Sequence, residues 1–150
     1  MRRTHTSVDM VLHLGDGYKD MMDFKTKYEN LTFVGVVGNC DSSEDETEKF
    51  LNVNSKKILM LHGHHSNHRV KQGYKTIVSY ATQKNVDICL FGHTHCPIIF
   101  VENNIIFMNP GSLYLSESVA RISYGVVKID EKGIIESNII GKTSEGFVSI

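Results

Sequence analysis

The chain has 150 residues, 41% hydrophobic and 22% charged, with a formal net charge of −1. That length predicts one domain spanning residues 1–150, able to bury roughly 70% of its unfolded surface without disulfides or a structural metal. The charge balance gives no bulk pull toward nucleic acid or anionic membrane, and no apolar run approaches the ~18 residues of a membrane span.

In chain order, residues 1–6 carry two positive charges, but no apolar signal-peptide core follows them. Residues 8–14 read as a strand feeding Gly15-Asp16. Residues 18–28 read as a helix, with Met21, Met22, Phe24, Lys25 and Tyr28 forming a rough stripe of period 3.6. Residues 32–37, β-branched and aromatic, predict a strand that ends at Gly38-Asn39-Cys40-Asp41. The acidic stretch 42–49 has no apolar face and reads as an exposed loop. Residues 50–53 and 56–61 predict a hairpin turning at Asn54-Ser55, whose second arm delivers His62-Gly63-His64-His65. After a polar loop comes a helix over 74–84, with Ile77, Val78 and Ala81 on one face. Residues 86–91 are the strand behind Gly92-His93-Thr94-His95-Cys96-Pro97. Residues 98–101 and 105–108 predict strands joined by Glu102-Asn103-Asn104 and leading into Asn109-Pro110-Gly111-Ser112. Residues 122–129 and 133–140 read as another hairpin, and 147–150 as a last strand.

Strands alternating with helices imply a parallel sheet covered by helices, and the later hairpins imply a second, antiparallel or mixed sheet. The three cysteines, Cys40, Cys89 and Cys96, are odd in number and lack disulfide-like spacing, which argues for a reducing, cytoplasmic setting. Cys89 lies inside a strand and reads as a small core hydrophobe.

Eight histidines are many for this length, and most stand at glycine turns. His93 and His95 follow a buried strand; if both stay extended, their side chains fall on one side of the backbone. Solvated turn histidines are the plain alternative. The recurrence of the pattern at Gly15-Asp16, Gly38-Asn39 and His62-Gly63-His64 favours ligands instead. Parallel strands present their C-terminal ends along one edge, so Asp16, Asn39, His62, His93 and His95 should converge there. One carboxylate, one amide oxygen and three imidazoles suit Mn, Fe, Ni or Zn with positions left open. Two such ions ~3.5–4 Å apart clamp the attacking and leaving oxygens of a phosphoryl displacement, and a shared water would be present as metal-bound hydroxide.

The segments Gly15-Asp16, Gly38-Asn39-Cys40-Asp41, His62-Gly63-His64 and Gly92-His93-Thr94-His95, in this order and spacing, resemble the calcineurin-like metallophosphoesterase superfamily, and within it the small prokaryotic phosphodiesterase branch. Asn109-Pro110-Gly111-Ser112 and Ser123-Tyr124-Gly125 are similar to lesser signatures of that branch. The resemblance implies an α/β (α+β) fold, a four-layer αββα sandwich. It also implies two divalent metals: Asp16 bridging them, Asn39, His62 and His93 on one, and His95 on the other. The family's first Asp-x-His motif is not found ahead of Val8, where His5 is the one nearby candidate. The first strand and helix would accordingly be missing, and about 25 further N-terminal residues are expected, as is a weakly held first metal. Cys40 stands where phosphomonoesterase branches place a histidine that helps the leaving group; cysteine is a poorer proton donor, so diesters or activated esters are the expected substrates.

The catalytic candidates are Asp41, which either orients a catalytic group or caps a turn, and His64, placed to touch a phosphate oxygen. His13 reads as structural, His65 and His68 as solvated loop residues, and Arg121 as either a phosphate partner or a surface residue. Two functional classes follow: a metal-dependent phosphodiesterase of small-molecule substrates, with homo-oligomerisation left open, or a weakly active or non-catalytic interaction module like the metallophosphoesterase-like subunit of the retromer coat. Asp16 and Asn39 favour the enzyme.

Overall fold

A computed structural model of the chain describes residues 7–65, 68–116 and 121–150. The elements run β1 (Met10–His13), α1 (Tyr18–Lys27), β2 (Thr32–Gly35), β3 (Glu48–Val53), β4 (Lys56–Leu61), α2 (Lys75–Gln83), β5 (Ile88–Phe91), β6 (Ile98–Glu102), β7 (Ile105–Asn109), β8 (Ser123–Ile129), β9 (Ile135–Thr143) and β10 (Gly146–Ser149).

Strands β4, β5 and β7 are parallel neighbours in a five-stranded sheet of order β3-β4-β5-β7-β6, with antiparallel β3 and β6 at its edges. Both hairpins in it turn on residues that tolerate left-handed backbone: Asn54 (φ 45°) with Ser55 (φ 66°), and Asn103 (φ 52°) with Asn104 (φ 61°). Two successive positive φ values match the right-handed twist of the flanking strands. Alternation along β4 and β5 splits the apolar side chains between two faces. Leu59, Leu61, Cys89 and Phe91 meet Ile77, Val78 and Ala81 of α2, while Ile58, Met60, Ile88 and Leu90 face the opposite way.

That second face packs on Leu12 of β1, Val34 of β2, and Val127, Ile129, Ile135 and Ile139 of β8 and β9. The covering layer therefore consists of the parallel pair β1-β2 beside the antiparallel set β10-β9-β8. On the outer side of β1-β2, Tyr18 and Met21 of α1 pack on Phe33 and Val37. The result is four layers, α2, sheet, sheet and α1: an αββα sandwich. Among the described residues no helix is long and apolar enough to cross a membrane.

Three expectations need correction. The stripe on α1 is narrower than its spacing predicts: Tyr18 and Met21 are buried, but Met22, Phe24 and Tyr28 are exposed. Phe24 and Tyr28 stack on each other at the surface instead, ring centroids 6.2 Å apart. The loop over 42–49 stops short of Lys49, because Glu48 and Lys49 already pair with Leu61 and Met60 as the start of β3. An edge strand tolerates this polar start because one side of it meets solvent. His68 is buried rather than solvated, its ring 5.1 Å from that of Tyr80.

Candidate metal centre

The C-terminal ends of β1, β2, β4 and β5 meet at one edge, and the turns that leave them carry Asp16, Asn39, His62 and His93. Gly15, Asp16 and Gly17 are all left-handed, with φ of 93°, 59° and 86°. Gly15 lies so close to the next strands that a Cβ there would stand 2.5 Å from His62 Nδ1 and 2.9 Å from Gly38 Cα. Only glycine combines that conformation with that approach.

His62 is almost wholly buried. Its Nδ1 lies 2.7 Å from the carbonyl oxygen of Leu14, which can only accept, so Nδ1 carries the hydrogen and Nε2 keeps a lone pair. That lone pair faces Asn39 Oδ1 at 2.9 Å, His93 Nδ1 at 3.1 Å and Asp16 Oδ2 at 3.4 Å. Burial, with His62 and Lys71 adding to it, pushes the pKa of His93 down to about 4, so its imidazole is neutral near pH 7. Neutral imidazole is the ligand form of histidine.

Lone pairs crowded this way repel one another unless a positive charge lies among them, and one proton can serve only one pair. The separations also suit bonds of ~2.0–2.2 Å to a common centre, whose donor–donor edges run about 3.0 Å at right angles and about 3.4 Å in a tetrahedron. Counting His, Cys, Asp and Glu alone, no group of three among the described residues makes a metal-holding set. The amide oxygen of Asn39, facing His62 Nε2, is a further donor outside that count, and Asp16, Asn39, His62 and His93 are together the candidate donors for one divalent cation.

Asp41 is the keystone of the two turns. Its Oδ2 accepts from the backbone N–H groups of Asp16 and Gly38, both at 2.8 Å, and its Oδ1 from those of Gly17 at 2.8 Å and Tyr18 at 2.9 Å. Burial would raise its pKa, but these four donors outweigh burial and hold the carboxyl below the usual carboxylate range. Of the two roles open to Asp41, the geometry is that of the cap: its oxygens are spent on backbone. Asn109 does the same for the next turn, donating to Gly92 O and Thr94 Oγ1, both at 2.9 Å, on either side of His93.

His64 is half-buried, its ring 5.2 Å from His62 and 6.2 Å from His93, with Nδ1 buried and unpartnered among the described residues. Burial, then the neighbouring His62, His65 and His68, lower its pKa. His93 and His95 depart from the extended geometry expected of them. His93 and His95 have φ of 68° and 58°, left-handed rather than extended, so the shared-side argument fails once β5 ends at Phe91. Among the described residues no hydrogen bond or ring contact ties His95 to the four donors. His13 is structural: its Nδ1 accepts from Gly15 N at 3.2 Å. His65 is exposed, as is Arg121, whose stem lies over Gly141. His5 lies outside the described residues. The charge of Asp16, then burial, raise the pKa of Cys40, keeping it a protonated thiol.

Two cations went unrecognised in the sequence. Arg69 and Lys71 line a cavity of about 380 Å³ together with Asn39, His64 and His93. The available signal was basic residues on both sides of a lone apolar Val70, shortly after the His62 turn.

The description "calcineurin-like phosphoesterase superfamily domain" matches residues 1–132. Probable metallophosphoesterase YsnB of Bacillus subtilis (strain 168) is 31% identical over 131 residues, 86% of this chain and 73% of its own length. Phosphodiesterase YfcE of Escherichia coli (strain K12) is 26% identical over 114 residues, 70% of this chain and 57% of its own. Among solved structures, wild-type Vps29 of Entamoeba histolytica complexed with Zn²⁺ superposes with a TM-score of 0.77 over 95% of this chain and 81% of that one; at 20% identity this is a likeness of fold.

Proposed function

We propose that this chain, which belongs to the calcineurin-like phosphoesterase superfamily, is a metal-dependent phosphodiesterase of small-molecule esters. The observation that carries the reading is the lone pair of His62 Nε2 facing Asn39 Oδ1, His93 Nδ1 and Asp16 Oδ2 at 2.9–3.4 Å. Asp16, Asn39, His62 and His93 would hold the divalent ion, and this mixed N/O set suits Mn, Fe, Ni or Zn. Such an ion, when bound, supplies Lewis acidity, which acidifies water and draws charge from phosphoryl oxygens.

The rest is done by the chain. In the net reaction a bond forms between a water oxygen and phosphorus. The bond from phosphorus to the leaving oxygen breaks, and that oxygen takes up a proton. Leu14 fixes the ring of His62 through Nδ1, and Asp41 holds the turn of Asp16 against that of Asn39. His64 lines the cavity and would hydrogen-bond a phosphoryl oxygen. A Cys40 thiol of raised pKa is a weak acid for a poor leaving group, which supports diesters and activated esters over simple monoesters. The name of YfcE supports the same choice. One domain and a cytoplasmic setting belong to this reading.

The exposed run Leu113, Tyr114 and Leu115 supports a second reading, in which the same fold serves as an interaction module. One assay separates the two. Chelator-stripped protein resupplied with Mn²⁺ should hydrolyse bis(p-nitrophenyl) phosphate faster than p-nitrophenyl phosphate, and Asp16→Asn should abolish this. A preference for the monoester, or hydrolysis indifferent to chelator, contradicts the phosphodiesterase; no turnover of either ester with any of the four metals favours the module.

A further inference from the structure

The loop after the His62 turn is pinned by one apolar residue. Val70 is buried, its N–H donates to Gly63 O at 3.1 Å, and its own carbonyl accepts from Gly73 N at 3.3 Å. A Cβ on Gly63 would come within 2.8 Å of Val70 Cγ2, so the Val70 side chain is pressed against the Gly63 backbone. Arg69 and Lys71, either side of this anchor, are exposed and line the same cavity as Asn39 and His93. Among the described residues neither cation has a carboxylate within ion-pair distance, and no carboxylate lines that cavity. Lys71 is near enough for its charge to act on both His93 and Cys40.

Two like charges lining one cavity that offers no counter-ion repel, and an anion bound there relieves that repulsion. A guanidinium fork and an ammonium suit phosphate oxygens in particular. Resting on the phosphodiesterase reading, we infer that Arg69 and Lys71 form a subsite for a second phosphoryl group on the substrate, one that is bound but not cleaved. The preferred substrate class is thus a phosphodiester that carries another phosphate elsewhere in the molecule, rather than a diester whose only charge is at the reacting phosphorus.

The test compares two matched esters on the Mn²⁺-loaded protein: thymidine 5′-(p-nitrophenyl phosphate) with and without a 3′-phosphate. The added phosphate should lower KM about tenfold or more, the scale of a charge-assisted contact. The Arg69→Gln/Lys71→Gln variant, checked for folding by circular dichroism, should lose that advantage. Lys71→Glu should reverse it. Calorimetry should show the same ranking for thymidine 3′,5′-bisphosphate over thymidine 5′-monophosphate. Equal KM values for the two esters, or an advantage that survives in the double variant, overturn the subsite. Tight bisphosphate binding without turnover of either ester leaves the subsite standing and overturns the phosphodiesterase.

Discussion

His62 and Leu14, forty-eight residues apart, are joined by a 2.7 Å hydrogen bond from the imidazole Nδ1–H to the backbone carbonyl. This contact decides which nitrogen of His62 keeps a lone pair, and it aims that lone pair at the other donors. It ties the end of β4 to the end of β1, so the ligand is set by two strands in different sheets. Such outer contacts orient a metal-binding histidine and raise its basicity.

Gly15→Ala tests that latch. The new methyl would meet His62 Nδ1 at 2.5 Å, and alanine at φ 93° is strained even without the contact. Strain of this kind costs about 1–3 kcal/mol. The expected outcome is a lower urea midpoint together with Mn²⁺ affinity weakened about tenfold or more in a calorimetric titration. Native affinity in the variant would mean that the latch does not orient His62.

Asp41→Asn separates positioning from proton transfer. The amide cannot accept at both ends, so about two of the four backbone donors lose a partner, at ~1–3 kcal/mol for each buried group left unpaired. Stability should fall, and Mn²⁺ binding should weaken ten- to a hundredfold, about the effect of losing an orienting contact. The acid limb of the pH–rate profile should keep its position; a moved limb would make Asp41 a proton carrier.

His68 gives a pH signature of stability. Burial lowers its pKa from 6.5; Glu48 opposes this and His65 adds to it. Because the folded value lies below the unfolded one, the unfolded chain binds more protons as pH falls through about 6.5. Its contribution to stability is therefore complete above that pH and is lost below it. Urea midpoints at about pH 7.5 and about pH 5.5 should differ more for the wild type than for His68→Phe. Equal differences would show that His68 titrates normally in the fold.

Much of this architecture is legible from local pattern. The continuous apolar runs 58–61 and 88–91, the turns at Asn54-Ser55 and Asn103-Asn104, and the Ile77, Val78 and Ala81 stripe each follow from short-range chemistry. Asp16, Asn39, His62 and His93 were legible as a set because each follows a strand end. What was hidden depends on contacts distant in sequence. His68 looks like a loop residue until Tyr80 of α2 is seen against it. The turn of His93 and His95 leaves the extended region, and Asn109 of β7 grips its backbone at Gly92, a contact that sequence spacing does not encode. Arg69 and Lys71 escaped notice since solvated basic residues are common in polar loops, and only the burial of Val70 fixes where they sit.

Ligand loss should follow the donor chemistry. Asp16→Asn replaces the charged donor that faces His62 Nε2 with a neutral amide, and His93→Ala removes one outright. Both variants should retain the fold, since neither side chain belongs to the apolar clusters. Both should lose the rise in thermal midpoint that Mn²⁺ gives the wild type, which by mass action is about 2.7 kcal/mol of stability at a hundredfold excess over Kd. Retained metal stabilisation in either would remove that residue from the centre.

The most direct measurement is anomalous diffraction from crystals grown with Mn²⁺. The account predicts a single strong peak about 2.0–2.2 Å from Asp16 Oδ2, Asn39 Oδ1, His62 Nε2 and His93 Nδ1. A map with no peak among those four atoms, or with Mn²⁺ bound only elsewhere, would contradict it.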